Sequence, residues 1–221
     1  SQYCILIHYH ELALKRDNKA WFERKLQTNI KNQIEGLPYK NINTYASRIF
    51  IYGINEKKWN HYQNKLKNVM GLKNAILMQK VDAKINLIQD IANNISENLK
   101  FETFRITTKR QDKGFKLTSH EINQIIGAEI YKNQKKSVSL KNPDLNIIIE
   151  IVRGQAFVGY KKIEGYGGLP NGSGETAISL LSSGIDSPVA SFQILKRGVK
   201  LIYIHFHSSP ATNKQSIINC Q

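Results

Sequence analysis

Hydroxyl and carboxyl side chains are concentrated in one short stretch of the sequence, Ser182-Ser-Gly-Ile-Asp-Ser187. An apolar run precedes it, as expected for a strand buried on both faces of a parallel sheet, and the apolar spacing of a helix follows it. In this interpretation Ser187 is the N-cap of the helix and Pro188 is its first residue. A strand that turns directly into a helix offers unpaired N–H groups and a positive dipole end to an anion. The stretch is therefore interpreted as a phosphate-binding loop, and an ordinary strand-to-helix connection is the alternative.

Cationic side chains are concentrated in a second stretch, at the end of a predicted strand and in the loop that follows. It holds one anion, Asp112, and five cations, Arg105, Lys109, Arg110, Lys113 and Lys116. Grouped cations can contact successive phosphates of a folded RNA, and the binding should weaken steeply with salt. A solvated loop with Phe115 turned into the core is the alternative.

The composition of the whole chain points to the same kind of partner. Its 32 Lys and Arg residues exceed 17 Asp and Glu residues, which gives a formal net charge of +15 and favours a polyanion. A solvated lysine-rich surface is the alternative. No apolar run approaches the roughly 20 residues of a membrane span, and no secretory signal opens the chain. Cys4 and Cys220 lie far apart without metal-ligand spacing, so we expect a cytoplasmic protein with no membrane association and no metal held by such residues.

The elements that must position these side chains begin with a β-α-β-β-α-β pattern over residues 1–81, the order of a ferredoxin-like fold. Its helices are predicted over 19–34 and 56–70, and its strands over 3–9, 39–45, 48–52 and 74–81. Residues 82–163 follow with two helices, a strand over 103–108, and a hairpin of strands 145–152 and 155–160. Thr118 and Glu121 have the spacing of a capping box at the start of the second of these helices.

The last part of the chain is predicted to be a linker and a β-α-β unit. Residues 164–175 are rich in glycine, which is typical of a linker between domains. Residues 176–221 contain one β-α-β unit and the start of another helix. This is too little for a doubly wound sheet that closes over a nucleotide, so we expect an incomplete domain.

Several stretches together resemble one family, the tRNA 4-thiouridine synthetases, which are tRNA sulfurtransferases. Residues 9–15, Tyr-His-Glu-Leu-Ala-Leu-Lys, are similar to the Tyr-Gly-Glu-Leu-x-Leu-Lys start of that family. Residues 104–110 and 118–123 resemble its THUMP domain. Residues 162–170 resemble its linker, and residues 205–212 resemble the segment after its second PP-loop strand.

The stretch at 182–187 resembles the PP-loop of the ATP pyrophosphatase superfamily, which usually reads Ser-Gly-Gly-x-Asp-Ser. Ser183 stands where that motif has its first glycine, and the chain also departs from the family pattern at His10, Arg16 and Ser209. The implied fold class is multidomain α/β and α+β. It comprises a ferredoxin-like domain (1–81), a THUMP domain (82–163), a linker (164–175) and the incomplete N-terminal part of a doubly wound parallel-sheet PP-loop domain (176–221).

The resemblance implies an ATP- and Mg²⁺-dependent enzyme that adenylates uridine 8 of tRNA, so that sulfur can replace O4. The sulfur would come from a persulfide, supplied by a cysteine desulfurase or another donor, and the family also serves thiamine thiazole synthesis. The five cations named above would bind tRNA, and Asp186 would be catalytic. The residues implied to contact ATP are Leu180, Leu181, Ser182, Ser183, Gly184, Asp186, Ser187, His205 and Phe206.

A second hypothesis is a THUMP-type tRNA-binding module whose PP-loop is catalytically incomplete. Whether the protein is a homodimer stays open. We expect no acid–base chemistry from His205 or His207, because a histidine at a strand end more often has a packing role. Cys220 is interpreted as an incidental thiol.

Overall fold

The computed structural model describes residues 2–9, 18–208 and 214–220. Residues 10–15 of the 9–15 motif, Arg16, and residues 209–212 of the 205–212 motif lie outside the described residues. The chain divides into two compact units. The first comprises Ser1–Ile7, Leu37–Asn60 and Ala75–Ile163, and the second comprises His8–Gly36, His61–Asn74 and Glu164–Gln221.

An eight-stranded sheet organises the first unit. Its strands are β1 (Gln2–His8), β2 (Asn41–Tyr45), β3 (Arg48–Tyr52), β4 (Asn74–Asp82), β5 (Thr103–Arg110), β6 (Ser137–Val138), β7 (Leu145–Val152) and β8 (Gln155–Glu164). Their spatial order is β2-β3-β1-β4-β8-β7-β5-β6, so the strands of the ferredoxin-like pattern and those of the following section share one sheet. β2–β3 and β7–β8 are antiparallel hairpins, whereas β5 runs parallel to β7.

Two helices cover the second half of this sheet. They are α3 (Ile85–Glu97) and α4 (Ser119–Gln134), and their isoleucines enclose a core with β5, β7 and β8. The capping box at the start of α4 is confirmed. The Thr118 hydroxyl accepts from the Glu121 N–H at 3.2 Å, and the Glu121 carboxylate accepts from the Thr118 N–H at 2.7 Å. These bonds use N–H groups that a helix start leaves without a partner.

The second helix of the ferredoxin-like pattern is shorter than predicted. A 3₁₀ turn at Glu56–Lys58 leads into α2 (Trp59–Leu66), which ends four residues before the predicted position. Beyond it the N–H groups of Asn68 and Val69 donate to carbonyls three residues earlier, and Gly71 has a φ of +96°. The last turn therefore tightens and then leaves helical geometry.

The second unit contains α1 (Lys19–Gln33), most of α2, and the elements β9 (Thr176–Leu180), α5 (Asp186–Leu195), β10 (Lys200–Ile204) and α6 (Lys214–Cys220). β9 and β10 pair in parallel, which confirms the predicted β-α-β unit. The prediction that β9 is buried on both faces is wrong for this chain, because Leu180 is 62% exposed. In the described part of the chain this sheet has two strands, which leaves its apolar side chains uncovered.

The glycine-rich segment is packed against the rest of the second unit by its main chain. Gly165 and Gly167 exchange main-chain hydrogen bonds of 2.7–2.9 Å with residues 71–73. Further along, the N–H of Leu169 donates to the carbonyl of Lys196 at 2.8 Å. A Cβ added to Gly168 would lie 2.4 Å from that same carbonyl oxygen. The glycines therefore allow close main-chain contact here, a role that differs from the flexibility that their composition suggests.

None of the helices in the described ranges is long and apolar enough to cross a membrane. Across the same ranges, no cluster of three or more His, Cys, Asp or Glu side chains is arranged to hold a metal ion.

Candidate phosphate loop and cationic surface

The predicted phosphate-binding loop lies between the end of β9 and the start of α5. The helix begins at Asp186, so Ser187 and Pro188 are its second and third residues. The prediction that Ser187 caps the helix is therefore wrong, and Ile185 takes that position without a side-chain capping bond in the described structure. Pro188 is accommodated because the first-turn N–H groups of a helix have no intrahelical acceptor. The Ser187 hydroxyl is consequently available to the loop.

Two serine hydroxyls hold the shape of this loop. The Ser182 N–H donates to Ser187 Oγ at 2.9 Å, and the two hydroxyl oxygens lie 3.1 Å apart. The Gly184 N–H donates to Ser182 Oγ at 3.4 Å. Below the loop, Ser191 is buried and its hydroxyl bonds both Ser179 Oγ and the Ser187 carbonyl at 2.7 Å. The strand, loop and first helical turn are thus tied together by side chains of one type.

The loop main chain suits an approaching polyphosphate. A Cβ placed on Gly184 would meet its nearest heavy atom, Ser182 Oγ, at an ordinary 3.6 Å, so internal packing does not demand this glycine. Its missing side chain instead leaves the main chain open on the exposed side, as close approach of a phosphate requires. Ser183 does not adopt a positive φ, so a non-glycine residue fits here without backbone strain. The residues present therefore fit a nucleotide polyphosphate.

A cavity of about 310 Å³ adjoins the loop. Its lining includes Leu181, Ser182, Pro188, Phe192, Tyr203 and Cys220. The register of β9 and β10 pairs Leu180 with Ile204, so the two strand ends meet at one edge, where open parallel sheets bind ligands. Sequence reasoning found Leu181 and Ser182 but missed Phe192 and Tyr203, which carry the ordinary apolar spacing of a helix and a strand.

The remaining residues implied to contact ATP are placed differently. His205 Nδ1 lies 2.8 Å from the Leu181 carbonyl oxygen and 3.4 Å from Cys220 Sγ, so this ring spans the two strand ends. Leu180 and Phe206 are 62% and 76% exposed and do not line the cavity. Asp186 is exposed in the first turn of α5, where the helix dipole favours a negative charge.

The five cations of the basic stretch fall into two groups, arginines that bond to main-chain carbonyls and lysines that are exposed to solvent. The Arg105 guanidinium donates to the Leu140 carbonyl at 2.6 Å. The Arg110 guanidinium donates to the carbonyls of Phe115 and Leu117 at 2.7 and 3.2 Å. Both arginines are therefore engaged by main-chain carbonyls of this chain. The side chains of Lys109, Lys113 and Lys116 are exposed. The lysines are therefore the cations of this stretch that can meet a polyanion without breaking a bond seen here.

The loop itself is anchored at both ends. Asp112 accepts from the Gly114 N–H at 2.9 Å and from the Gly154 N–H at 2.8 Å, which joins the loop to the turn between β7 and β8. Phe115 packs against the core beneath α3 and α4 instead of facing solvent. The lysines consequently project from a loop whose main chain is fixed.

Burial removes one of the two thiols from consideration as a sulfur carrier. Cys4 is fully buried in the first unit, and the loss of solvation raises its pKa to about 12, with only partial opposition from Lys80. A thiol of that pKa is un-ionised and inert near neutral pH. Cys220 is partly exposed beside the cavity described above.

Three family models match successive parts of the chain. The ThiI ferredoxin-like domain matches residues 4–75, the THUMP domain residues 83–161, and the thiamine biosynthesis protein (ThiI) residues 172–221. These matches confirm the predicted fold class. The bounds that we placed between the domains stay a prediction.

Curated relatives match nearly the whole chain. A protein of Thermoanaerobacter sp. strain X514 is 37% identical over 213 residues, which cover 96% of this chain and 55% of the relative. One of Clostridium kluyveri is 39% identical over 214 residues, with the same coverage of both chains. Each is named "Probable tRNA sulfurtransferase". The chain spans about half the length of the curated relatives it matches.

Two crystal structures are similar to this chain over nearly its whole length. PH1313 from Pyrococcus horikoshii is 30% identical with a TM-score of 0.83, over 98% of this chain and 72% of that one. A 4-thiouridine synthetase, solved with RNA and bound ATP, is 31% identical with a TM-score of 0.79. The match covers 99% of this chain and 56% of that one. The fold and the loop thus define a THUMP-containing protein that carries a PP-loop. More particularly, the chain belongs to the ThiI family of tRNA sulfurtransferases.

Proposed function

We propose that this chain forms the tRNA-binding part and the front of the catalytic domain of an ATP-dependent tRNA sulfurtransferase acting in the cytoplasm. The loop between β9 and α5 is the observation that carries the proposal. It combines an open glycine, two mutually bonded serine hydroxyls and the N-terminus of a ten-residue helix. The names of the relatives, and the RNA and ATP in one similar structure, support the same assignment.

The proposed reaction has two steps. O4 of uridine 8 attacks the α-phosphorus of ATP, the bond to the β-phosphate breaks, and pyrophosphate leaves. In the second step the terminal sulfur of a persulfide attacks C4 and AMP departs, which leaves that sulfur bonded both to C4 and to the carrier sulfur. A second thiol then attacks the carrier sulfur, so that the S–S bond to the transferred sulfur breaks, the two thiol sulfurs are left as a disulfide, and 4-thiouridine is released. Activation is needed because a carbonyl oxygen is a poor leaving group, whereas AMP is a good one. The same sulfur delivery would serve thiamine thiazole synthesis, in keeping with the description of the family model.

Each part of the loop has a role in this proposal. The N–H groups at the start of α5 and the hydroxyls of Ser182 and Ser187 would hold the pyrophosphate portion of ATP. The exposed carboxylate of Asp186 would repel phosphate on its own, so its place here supports a Mg²⁺ ion between them. Mg²⁺ accepts carboxylate and phosphate oxygens together and would neutralise the charge that develops as pyrophosphate leaves.

The sulfur would come from a persulfide loaded by a cysteine desulfurase or another donor. The buried Cys4, with its raised pKa, is unsuited to carry it. On the tRNA side, Lys109, Lys113 and Lys116 are exposed on an anchored loop, and the net charge of +15 favours a polyanion. A homodimer remains a prediction for this protein.

The test uses the full-length protein that carries this chain, with labelled ATP and an unmodified tRNA transcript. We expect tRNA-dependent pyrophosphate release, its loss in Asp186→Asn, and unchanged tRNA affinity in that variant. Asp90→Asn is the control, because it removes the same charge from an exposed position on α3. Release by Asp186→Asn at the wild-type rate would refute the proposed site. Tight tRNA binding with no release would instead indicate the alternative, a tRNA-binding module with an incomplete PP-loop.

The lysines are tested separately through the salt dependence of tRNA binding. In Lys109→Ala/Lys116→Ala the slope of log K against log salt should fall by about two, since each lysine would neutralise one phosphate. Arg110 is left in place, because its bonds to Phe115 and Leu117 make a folding defect the expected result of removing it. An unchanged slope would mean that this loop does not contact the RNA backbone.

A further inference from the structure

A cationic crevice of about 380 Å³ lies in the first unit, away from the phosphate loop. Three connections line it: the β2–β3 turn with Ala46, the β5–α4 loop with Gln111, Asp112 and Lys113, and the β7–β8 turn with Arg153. Lys113 and Arg153 are both exposed at this crevice. We call the cavity that these residues line the hairpin crevice.

Both hairpin turns at this crevice have unusual main-chain conformations. Ala46 and Ser47 have φ values of +50° and +57°, and Arg153 and Gly154 have +49° and +72°. Two successive positive φ values in a two-residue hairpin connection are the geometry of a type I′ turn, for which Asn-Gly is preferred. Three of these four positions carry other residues, at a cost in folding free energy. Such strain at a cationic surface points to a functional demand for the side chain, most directly for Arg153.

Polar contacts fix both turns before any ligand binds, and those of the first turn include a buried ion pair. The Arg48 side chain is buried, forms an ion pair with the buried carboxylate of Glu150 on β7, and donates to the Ala46 carbonyl at 2.8 Å. It therefore holds the first turn against β7. The second turn is held by the Gly154 N–H, which donates to Asp112. Because that carboxylate also accepts from Gly114, both of its oxygens are engaged by the main chain.

The positive charge continues beyond the crevice. The Arg153 guanidinium lies 5.2 Å from the ring centre of Tyr45, which also lines a second cavity of about 380 Å³. That cavity includes Lys40, Lys80 and Tyr52, with the Lys80 ammonium 5.4 Å from the Tyr52 ring. Cations thus occur in two neighbouring cavities that share the β2–β3 hairpin. A chain of repeated anionic groups fits this arrangement better than a single small anion.

We propose that the hairpin crevice binds a phosphodiester group of RNA through Arg153 and Lys113, and that the RNA backbone continues past Tyr45 towards Lys40 and Lys80. Arg48 and Glu150 are positioning residues for this site. The inference rests on the proposed function, since it names a contact surface for the same tRNA. It adds residues from β2, β4 and the β7–β8 turn to the basic stretch recognised in the sequence.

The test exploits the strained turn. Arg153→Asn removes the cation and supplies the residue that a type I′ turn prefers, so binding and stability should change in opposite directions. We expect affinity for an unmodified tRNA transcript to fall about fivefold or more and the salt slope to fall by about one, with a Tm equal to or above that of the wild type. Lys113→Ala should show the same loss of slope. A purely structural arginine would lower the Tm.

Lys100→Asn is the matched control, since it removes one exposed cation from the connection before β5, the opposite end of that strand from the crevice. It should leave affinity and slope unchanged. If wild-type protein binds the transcript and both crevice variants bind it equally well, this inference is refuted while the proposed function stands. If wild-type protein does not bind the transcript, both fail. Equal binding of poly-glutamate and tRNA would also overturn the assignment of the crevice to RNA.

Discussion

Removing the guanidinium of Arg48 should destabilise the first unit more than any exposed charge change. Arg48 is 5% exposed and its partner Glu150 is 0% exposed, so Arg48→Met removes the guanidinium that pairs with a fully buried carboxylate. Breaking a buried pair in this way costs about 3–5 kcal/mol. The lost hydrogen bond to the Ala46 carbonyl adds about 1 kcal/mol. At about 2–4 °C per kcal/mol for a chain of this size, the Tm should fall by roughly 10 °C or more.

The double variant Arg48→Met/Glu150→Leu separates this explanation from simple loss of packing. With both charges removed, no buried ion is left unpaired, so most of the stability should return and the free energy of unfolding should lie within about 2 kcal/mol of wild type. Lys136→Met is the control. It breaks an ion pair with Glu102 whose two side chains are 30% and 84% exposed, and it should cost less than about 1 kcal/mol.

The assay is urea unfolding followed by the fluorescence of Trp59, which is buried, in a background where the exposed Trp21 is replaced by Phe. This reports on the part of the chain that contains the pair, because Trp59 belongs to the first unit. If Arg48→Met unfolds at the same urea concentration as Lys136→Met, the buried pair does not stabilise the fold as argued. If the double variant is as unstable as the single one, the loss arises from packing and not from an unpaired charge.

Three further predictions concern stability and reactivity. The Asp144 carboxylate accepts main-chain N–H bonds that lower its pKa, so its stabilising effect is present above about pH 4 and is lost as the pH falls through the lowered pKa. Thermal unfolding of Asp144→Asn should therefore differ from wild type at pH 7, and the difference should shrink as the pH is lowered below about 4. Gly159→Ala would place a Cβ 2.1 Å from a main-chain carbonyl oxygen and should lower the free energy of unfolding in urea by about 1–3 kcal/mol. Gly127→Ala is the control, because a Cβ there meets open space on α4, and it should leave the free energy of unfolding unchanged or raise it. A thiol reagent at pH 8 should label Cys220 and leave Cys4 unmodified until the protein unfolds; labelling of two thiols in native protein would contradict the burial of Cys4.

Several features were predictable from the sequence because the interactions that create them are local. The capping box at Thr118 depends on residues three positions apart, and the β7–β8 hairpin on a two-residue connection between apolar strands. The β-α-β unit around the phosphate loop follows from strand and helix periodicity. One local prediction was wrong, since the helix of this unit starts before Ser187. The sequence could not show this, because a serine whose hydroxyl accepts a bond from the loop has the same sequence context as a serine that caps a helix.

Other features required the tertiary structure. The ion pair of Arg48 with Glu150 joins residues 102 positions apart, and no local pattern marks either partner. Whether a cation faces solvent also depends on its neighbours: Arg105 and Arg110 bind main-chain carbonyls, whereas Arg153, outside the basic stretch, lies exposed at a crevice. The sequence by itself determined the order of domains, the strand-to-helix loop at residues 182–187 and the excess of positive charge. Tertiary structure alone decided which charges are buried or exposed, because burial and pairing depend on segments that the fold brings together from distant parts of the chain.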